Sequence, residues 1–185
     1  MSRMLGQVIM VSALVAGCVV AGCASSAPPR ATSERTDLER AASRELQAML
    51  AKDPPLRSLL DRAAGYIIFP EIKQGGFVVG GAGGKGVIYE RGRPAGFANL
   101  SQASVGALVG GQRFAELVVV RDKWTLDKIK AGTLDVGAEA SAVVLNAGAA
   151  AATRFGENGV AVVVDPLGGA MLNASITGQR IKATM

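Results

Sequence analysis

The sequence predicts an α+β fold in which N-terminal amphipathic helices precede a curved, mainly antiparallel, glycine-rich sheet with short packed helices. Three observations predict it. Between Ser33 and Ala51 apolar residues recur at three- and four-residue steps, the period of a helix. From Ala64 onward the pattern changes to short β-rich runs divided by glycine. Glycine is also abundant, 24 in 185 residues, and glycine in strands marks bulges and tight bends.

The N-terminus precedes the fold. Met1-Ser2-Arg3 is a short positive start, and Met4 to Val20 is apolar apart from Gln7 and Ser12. Val20-Ala21-Gly22-Cys23 then gives way to polar Ser25, Ser26, Pro28, Pro29 and Arg30. A charged start, an apolar run and small residues before a cut are the parts of a secretory signal. The cysteine after small residues resembles the lipobox of bacterial lipoproteins, where the thiol takes a diacylglycerol and begins the mature chain. Residues 1–22 therefore read as a lipoprotein signal peptide and Cys23 as the covalent lipid anchor, with residues 23–32 a flexible tether. Val15-Ala16-Gly17-Cys18 repeats the box, so Cys18 is the alternative anchor. Cutting there would leave Val19-Val20-Ala21 greasy at the new terminus. A transmembrane helix is the competing reading of the apolar run.

Residues 33–63 read as a helical segment. Ser33 stands before Glu34, Asp37 and Glu39 in the manner of a capped helix, and Leu38, Ala42, Leu46, Met49 and Leu50 form its apolar stripe. Arg35, Arg40 and Arg44 lie off the stripe beside acids, an i,i+4 pairing pattern. Such a helix can pack on its own domain or lie on a membrane. Asp53-Pro54 opens a second short helix carrying Leu56, Leu59 and Leu60.

In residues 64–185, Gly65–Phe69 reads as a strand closed by Pro70, followed by strands at Gly76–Ala82, Gly86–Arg91 and Pro94–Ser101. Arg113 to Val120 alternates Phe114, Glu116, Val118 and Val120 against Ala115, Leu117 and Val119. Glu116 then shares an apolar face and needs a buried partner, with Arg113 and Gln112 as candidates. Asp122 caps a helix over Lys123–Ala131, ended by Gly132. Thr133–Leu145 alternates as a strand, and alanine-rich Asn146–Phe155 reads as helix. Val160–Val164 and Ala170–Thr177 are expected to pair across Asp165–Gly169 as a closing hairpin.

Composition excludes much chemistry. There is no histidine, and the two cysteines lie in or beside the signal. The commonest general base and the usual zinc ligands are thus missing. We expect no catalytic residues, no metal site, no cofactor and no enzymatic activity. A serine hydrolase built on Ser101 or Ser104 with a lysine base is the remote alternative. Gly81-Ala82-Gly83-Gly84-Lys85-Gly86 spells G-x-G-x-x-G, but Val87-Ile88-Tyr89 follows as a strand where a dinucleotide fold needs a helix. A glycine-rich hairpin is expected there. The net charge of +5 favours anionic partners, and export argues against nucleic acid.

Ala64-Gly65-Tyr66-Ile67-Ile68-Phe69-Pro70 followed by Gly75-Gly76-Phe77-Val78-Val79-Gly80-Gly81 resembles the opening of the SYLF domain. Pro94 to Ser101, Gly111-Gln112 with Glu116, Asp135 to Ser141 and Ala174-Ser175-Ile176-Thr177-Gly178 extend the resemblance over about Ala64 to Lys182. It implies a lipid-binding domain. Eukaryotic members bind phosphoinositides and join membranes to actin regulation, while bacterial members are often predicted to be exported. This chain has no SH3 or other adaptor domain, and a periplasm offers neither actin nor the usual phosphoinositides. The resemblance therefore implies binding to a phospholipid surface.

Headgroup phosphates need cations on aliphatic stems. Arg121, Lys123, Lys128 and Lys130 form the densest basic cluster, beside Trp124, whose indole suits a membrane interface. Lys85, Arg91 and Arg93, expected at hairpin ends, are the second set. The competing reading of the first cluster is a solvated helix with Trp124 partly in the core. Ala24 is not the aspartate that retains lipoproteins in the inner membrane, so the expected location is the outer membrane, lipid-anchored and facing the periplasm. An envelope protein-interaction or scaffolding module, with no lipid contact beyond the anchor, is the alternative function.

Overall fold

The structure is a computed structural model that describes residues 32–77, 79–105, 110–132, 141–145, 153–169 and 179–184. The expected signal, Cys18, Cys23 and the tether up to residue 31 lie outside the described residues, as do the expected strand at 170–177 and residues 146–152 of the expected helix.

Helix α1 (Thr32–Lys52) already includes Thr32, so Ser33 sits within the first turn instead of capping it. Its stripe behaves as the periodicity requires: Ala42, Leu46, Met49 and Leu50 are buried and Leu38 packs against them. Arg40 pairs with Asp37 three residues back, not four, and Arg35 lies 5.4 Å over the Phe97 ring. The short helix α2 (Leu56–Asp61) begins later than Asp53-Pro54 implies. Pro55 occupies its cap, and the Asp53 carbonyl accepts the Leu56 N–H while the Asp53 side chain is buried.

Seven strands follow: β1 (Gly65–Phe77), β2 (Val79–Glu90), β3 (Arg93–Val105), β4 (Gly110–Val120), β5 (Ser141–Val144), β6 (Val160–Gly169) and β7 (Gln179–Thr184), with α3 (Lys123–Lys130) after β4. The sheet order is β5-β6-β4-β1-β2-β3-β7. Six strands pair antiparallel, and β5 joins β6 in parallel. The fold is thus α+β around a mainly antiparallel sheet.

The strands depart from the sequence reading in three places. Pro70 does not end β1. The strand gains one extra residue between Ile68 and Ile72 relative to both neighbours, and the bulge accommodates a residue with no N–H to donate. The bulge also flips the side-chain parity, so that Phe69 and Ile72 point to the same face. Likewise Asp165–Gly169 is no turn: β6 runs through it, with a register shift against Arg113/Phe114 and Gly168 at φ 148°. Among the described strands β6 pairs with β4 and β5, and β7 pairs with β3. Gly76–Ala82 and Gly86–Arg91 merge into the β1–β2 hairpin, which places Gly81–Gly86 in mid-strand instead of a hairpin tip. A Cβ on Gly86 would lie 2.6 Å from Phe69 Cδ1 and 2.8 Å from the Ile68 carbonyl, so glycine is needed for side chains of β1 to lie over β2. Gly86→Ala is expected to lower stability by about 2 kcal/mol through overpacking, read as a lower urea midpoint at unchanged slope.

Both faces of the sheet are covered. On one, α1 and α2 pack over Tyr66, Ile68, Val87, Tyr89, Leu117 and Val119. On the other, Leu126 and Ile129 of α3 join Ile67, Phe69, Ile72, Ile88, Leu100 and Val118. The expected alternation in β4 holds, Phe114, Val118 and Val120 facing α3 and Ala115, Leu117 and Val119 facing α1. Lys52 at the end of α1 pairs with buried Asp165 of β6, tying the helix to the sheet. Residues 153–155 at the end of the expected alanine-rich helix are not helical.

Candidate functional site

Helix α3 is built as the sequence predicts, one residue shorter at its end. Asp122 caps it: Oδ1 accepts the Thr125 N–H at 2.9 Å and Oδ2 the Thr125 hydroxyl at 3.0 Å. That backbone hydrogen bond is the main cause holding the Asp122 carboxyl below its usual pKa. Leu126 and Ile129 face the core, which turns Trp124 and Lys128 outward one turn apart. Trp124 is 67% exposed, with the Lys128 ammonium 3.5 Å from its ring centroid. The reading that put Trp124 partly in the core is therefore corrected. Only two apolar positions of this short helix are needed for packing, and the indole is left over.

The basic residues divide into engaged and outward-facing groups. Lys130 is half-buried and bonds Glu90 at 2.6 Å, so it holds α3 to β2. Lys123 is exposed and bonds both carboxylate oxygens of Asp127, and this bond raises its pKa. Arg121 lies 5.9 Å over the Phe155 ring. Lys85 is not at a hairpin end. It lies in mid-β2 on the α1 face and pairs with Glu34 of α1.

Arg91 and Arg93 do sit at a hairpin end. They flank Gly92 in the two-residue β2–β3 connection, where Glu90 pairs with Arg93 across the strands. A groove of about 750 Å³ beside α3 is lined by Ala63, Ala64, Glu90, Arg91, Arg93, Lys123 and Leu126. A second groove of about 480 Å³, under α1 and α2, includes Arg57, Leu60, Tyr66 and again Ala63 and Arg91. The structure thus brings the two candidate sets together at one end of the sheet, except for Lys85. Sequence reasoning did not connect Arg57 with this end, because α2 meets the β2–β3 turn only in the folded chain.

The other polar feature lies inside. Glu116 is fully buried on the α3 face, and its partner is neither Arg113, which faces Glu71, nor Gln112, which bonds Gln74. Gln179 of β7 donates from Nε2 to Glu116 Oε2 at 2.7 Å, although β7 stands four places from β4 in the sheet. Gln112, Gln74, Ala82, Gln102 and Gln179 form one cross-strand row beside it. Burial pushes the Glu116 carboxyl up to about 7, partly offset by the Gln179 bond. Glu116 Oε1 and Gln179 Oε1 are both buried without a hydrogen-bond partner among the described residues. A single proton on Glu116 Oε1, donated to Gln179 Oε1, would satisfy both acceptors as an acid–amide pair. Nothing in the sequence spacing signals this pairing, since 63 residues separate the partners.

Among the described residues there is no group of three or more acidic, cysteine or histidine side chains placed to hold a metal ion, and no helix long and apolar enough to cross a membrane. Ser101 is exposed on β3, opposite Gly83 and Arg180. No model of a known protein family matches the chain, and no curated protein matches it.

Proposed function

We propose that this protein is a non-enzymatic lipoprotein that binds phospholipid at the periplasmic face of the outer membrane, through a SYLF-like domain formed by residues 64–185. One observation carries the reading: Trp124 is exposed on α3 with the Lys128 ammonium over its ring, on the helix whose Lys123 lines a groove with Arg91 and Arg93. An exposed indole flanked by cations matches what an anionic membrane interface attracts. The ordered string of SYLF-like motifs supports the same function, and the N-terminal pattern ending at Cys23 supports the anchor. We also propose that the sheet is strongly curved, a reading supported by the bond from Gln179 on β7 to Glu116 on β4.

The chain beginning at Ala24 keeps every described element, since all lie at or after Thr32. It is expected to co-float with vesicles without its anchor, more strongly as anionic lipid increases. Flotation that is indifferent to lipid charge would count against the α3 face as the contact. For the anchor, Cys23→Ser is expected to abolish acyl labelling. Labelling lost in Cys18→Ser but kept in Cys23→Ser would move the anchor to the earlier box.

A further inference from the structure

The β2–β3 connection carries an anomaly. Arg91 has φ 50° and Gly92 φ 74°, the arrangement of a tight hairpin turn with positive φ at both central residues. Asn, Asp or Gly suits the first of these positions, whereas Arg91 is the one non-glycine residue with positive φ among the described residues. Strain of this kind is held where the side chain has a role. The turn projects Arg91 at the junction of the two grooves, which share Arg91 and Ala63.

Around that junction the charge is unbalanced. Among the described residues, Arg57, Arg91 and Arg93 have no carboxylate within 4.0 Å, and Glu90 is taken up by Lys130 and Asp127 by Lys123. Asp61, which also lines the groove under α1 and α2, offsets one of the three guanidinium charges and leaves the excess positive. Guanidinium groups in this setting match a phosphate, which they can bond in bidentate fashion. The groove under α1 and α2 then leads away from Arg91 past Leu46, Leu50, Leu60 and Tyr66. A cationic mouth joined to a groove with leucines along part of its wall has the complementarity of a single amphiphile.

We infer that the two grooves form one site for a monoacyl phosphate amphiphile, with the phosphate on Arg91 and Arg93 and the acyl chain against Leu46, Leu50, Leu60 and Tyr66. This rests on the lipid-surface reading and goes further, because it requires one molecule seated in the protein instead of contact with a bilayer.

The test is calorimetric titration of the chain from Ala24 with monomeric myristoyl-glycerophosphate, below its micelle concentration, and with glycerol 3-phosphate. The acylated probe is expected to bind one-to-one, at least tenfold more tightly than glycerol 3-phosphate. Arg91→Asn is expected to weaken it at least tenfold while the melting temperature holds or rises, because asparagine relieves the turn. Equal affinity for the two probes would remove the acyl groove. Retained affinity in Arg91→Asn would remove the phosphate site. Vesicle flotation without binding of the monomeric amphiphile would overturn this inference and leave the surface reading intact. Loss of flotation as well would strike the surface reading itself.

Discussion

Raising the pH from 4.5 to 8 is expected to cost the fold about 3 kcal/mol through Glu116 alone. Its folded pKa of about 7 stands above the ordinary carboxyl value of 4.5, so between these values the native state holds more protons than the unfolded one. Stability from this group is then complete below about pH 4.5, falls as pH rises through 7 and is flat above. A gap of this size converts at about 1.4 kcal/mol per pH unit. Glu116→Gln keeps an amide able to bond Gln179 and removes the titration. Denaturant unfolding at a series of pH values should show the variant matching the native chain at pH 4 and exceeding it at pH 8. The same slope in both proteins would place the pH dependence on another group. Ionisation leaves a buried charge and removes the proton that Glu116 Oε1 could share with Gln179 Oε1 between β4 and β7, so raising the pH should also speed amide exchange in β7 before the rest of the sheet.

The second large effect concerns the membrane face. Lys130 is unsuited to testing it, because reversing its charge would break the half-buried bond to Glu90 and disturb α3. Lys123 is exposed, and Lys128 stands over Trp124 on the outward side. Replacing both by glutamate leaves Asp122, Leu126 and Ile129 to hold the helix. A basic residue near an anionic surface contributes roughly 1 kcal/mol. Losing two and adding two repulsive charges is expected to reduce affinity for anionic vesicles at least tenfold at physiological salt, with circular dichroism unchanged. Unaltered affinity with an intact fold would shift the contact to Arg57, Arg91 and Arg93.

The sequence made some of this legible and hid the rest for physical reasons. Local signals worked where local chemistry decides. Asp122 is followed by the Thr125 amide it caps, and the α1 stripe and β4 alternation reflect burial of α1 on one side and of β4 on both. They failed where a long-range register overrides a local signal. Pro70 and Pro166 look like strand breakers, yet Pro70 sits in a bulge and Pro166 beside one, each held in register by neighbouring strands. The glycines at 81–86 look like a loop, but the reason for Gly84 and Gly86 lies in β1, whose Ile72 side chain and Phe69 ring occupy the space a Cβ would take. The candidate site was legible as residue types. Its assembly was not, since α2, the β2–β3 turn and α3 meet only through the sheet order.

Trp124 is the chain's single tryptophan, so its emission reports on the proposed contact with no competing signal. The decisive measurement is the emission maximum of the chain from Ala24 titrated with anionic vesicles at low and physiological salt. The membrane reading predicts a blue shift as the indole leaves water, saturable with lipid. The shift should weaken as salt rises, because exposed charges are screened over about 8 Å at physiological ionic strength. An emission maximum unmoved by anionic lipid at low salt would contradict it, and the scaffolding function with the acyl anchor as its only membrane contact would stand in its place.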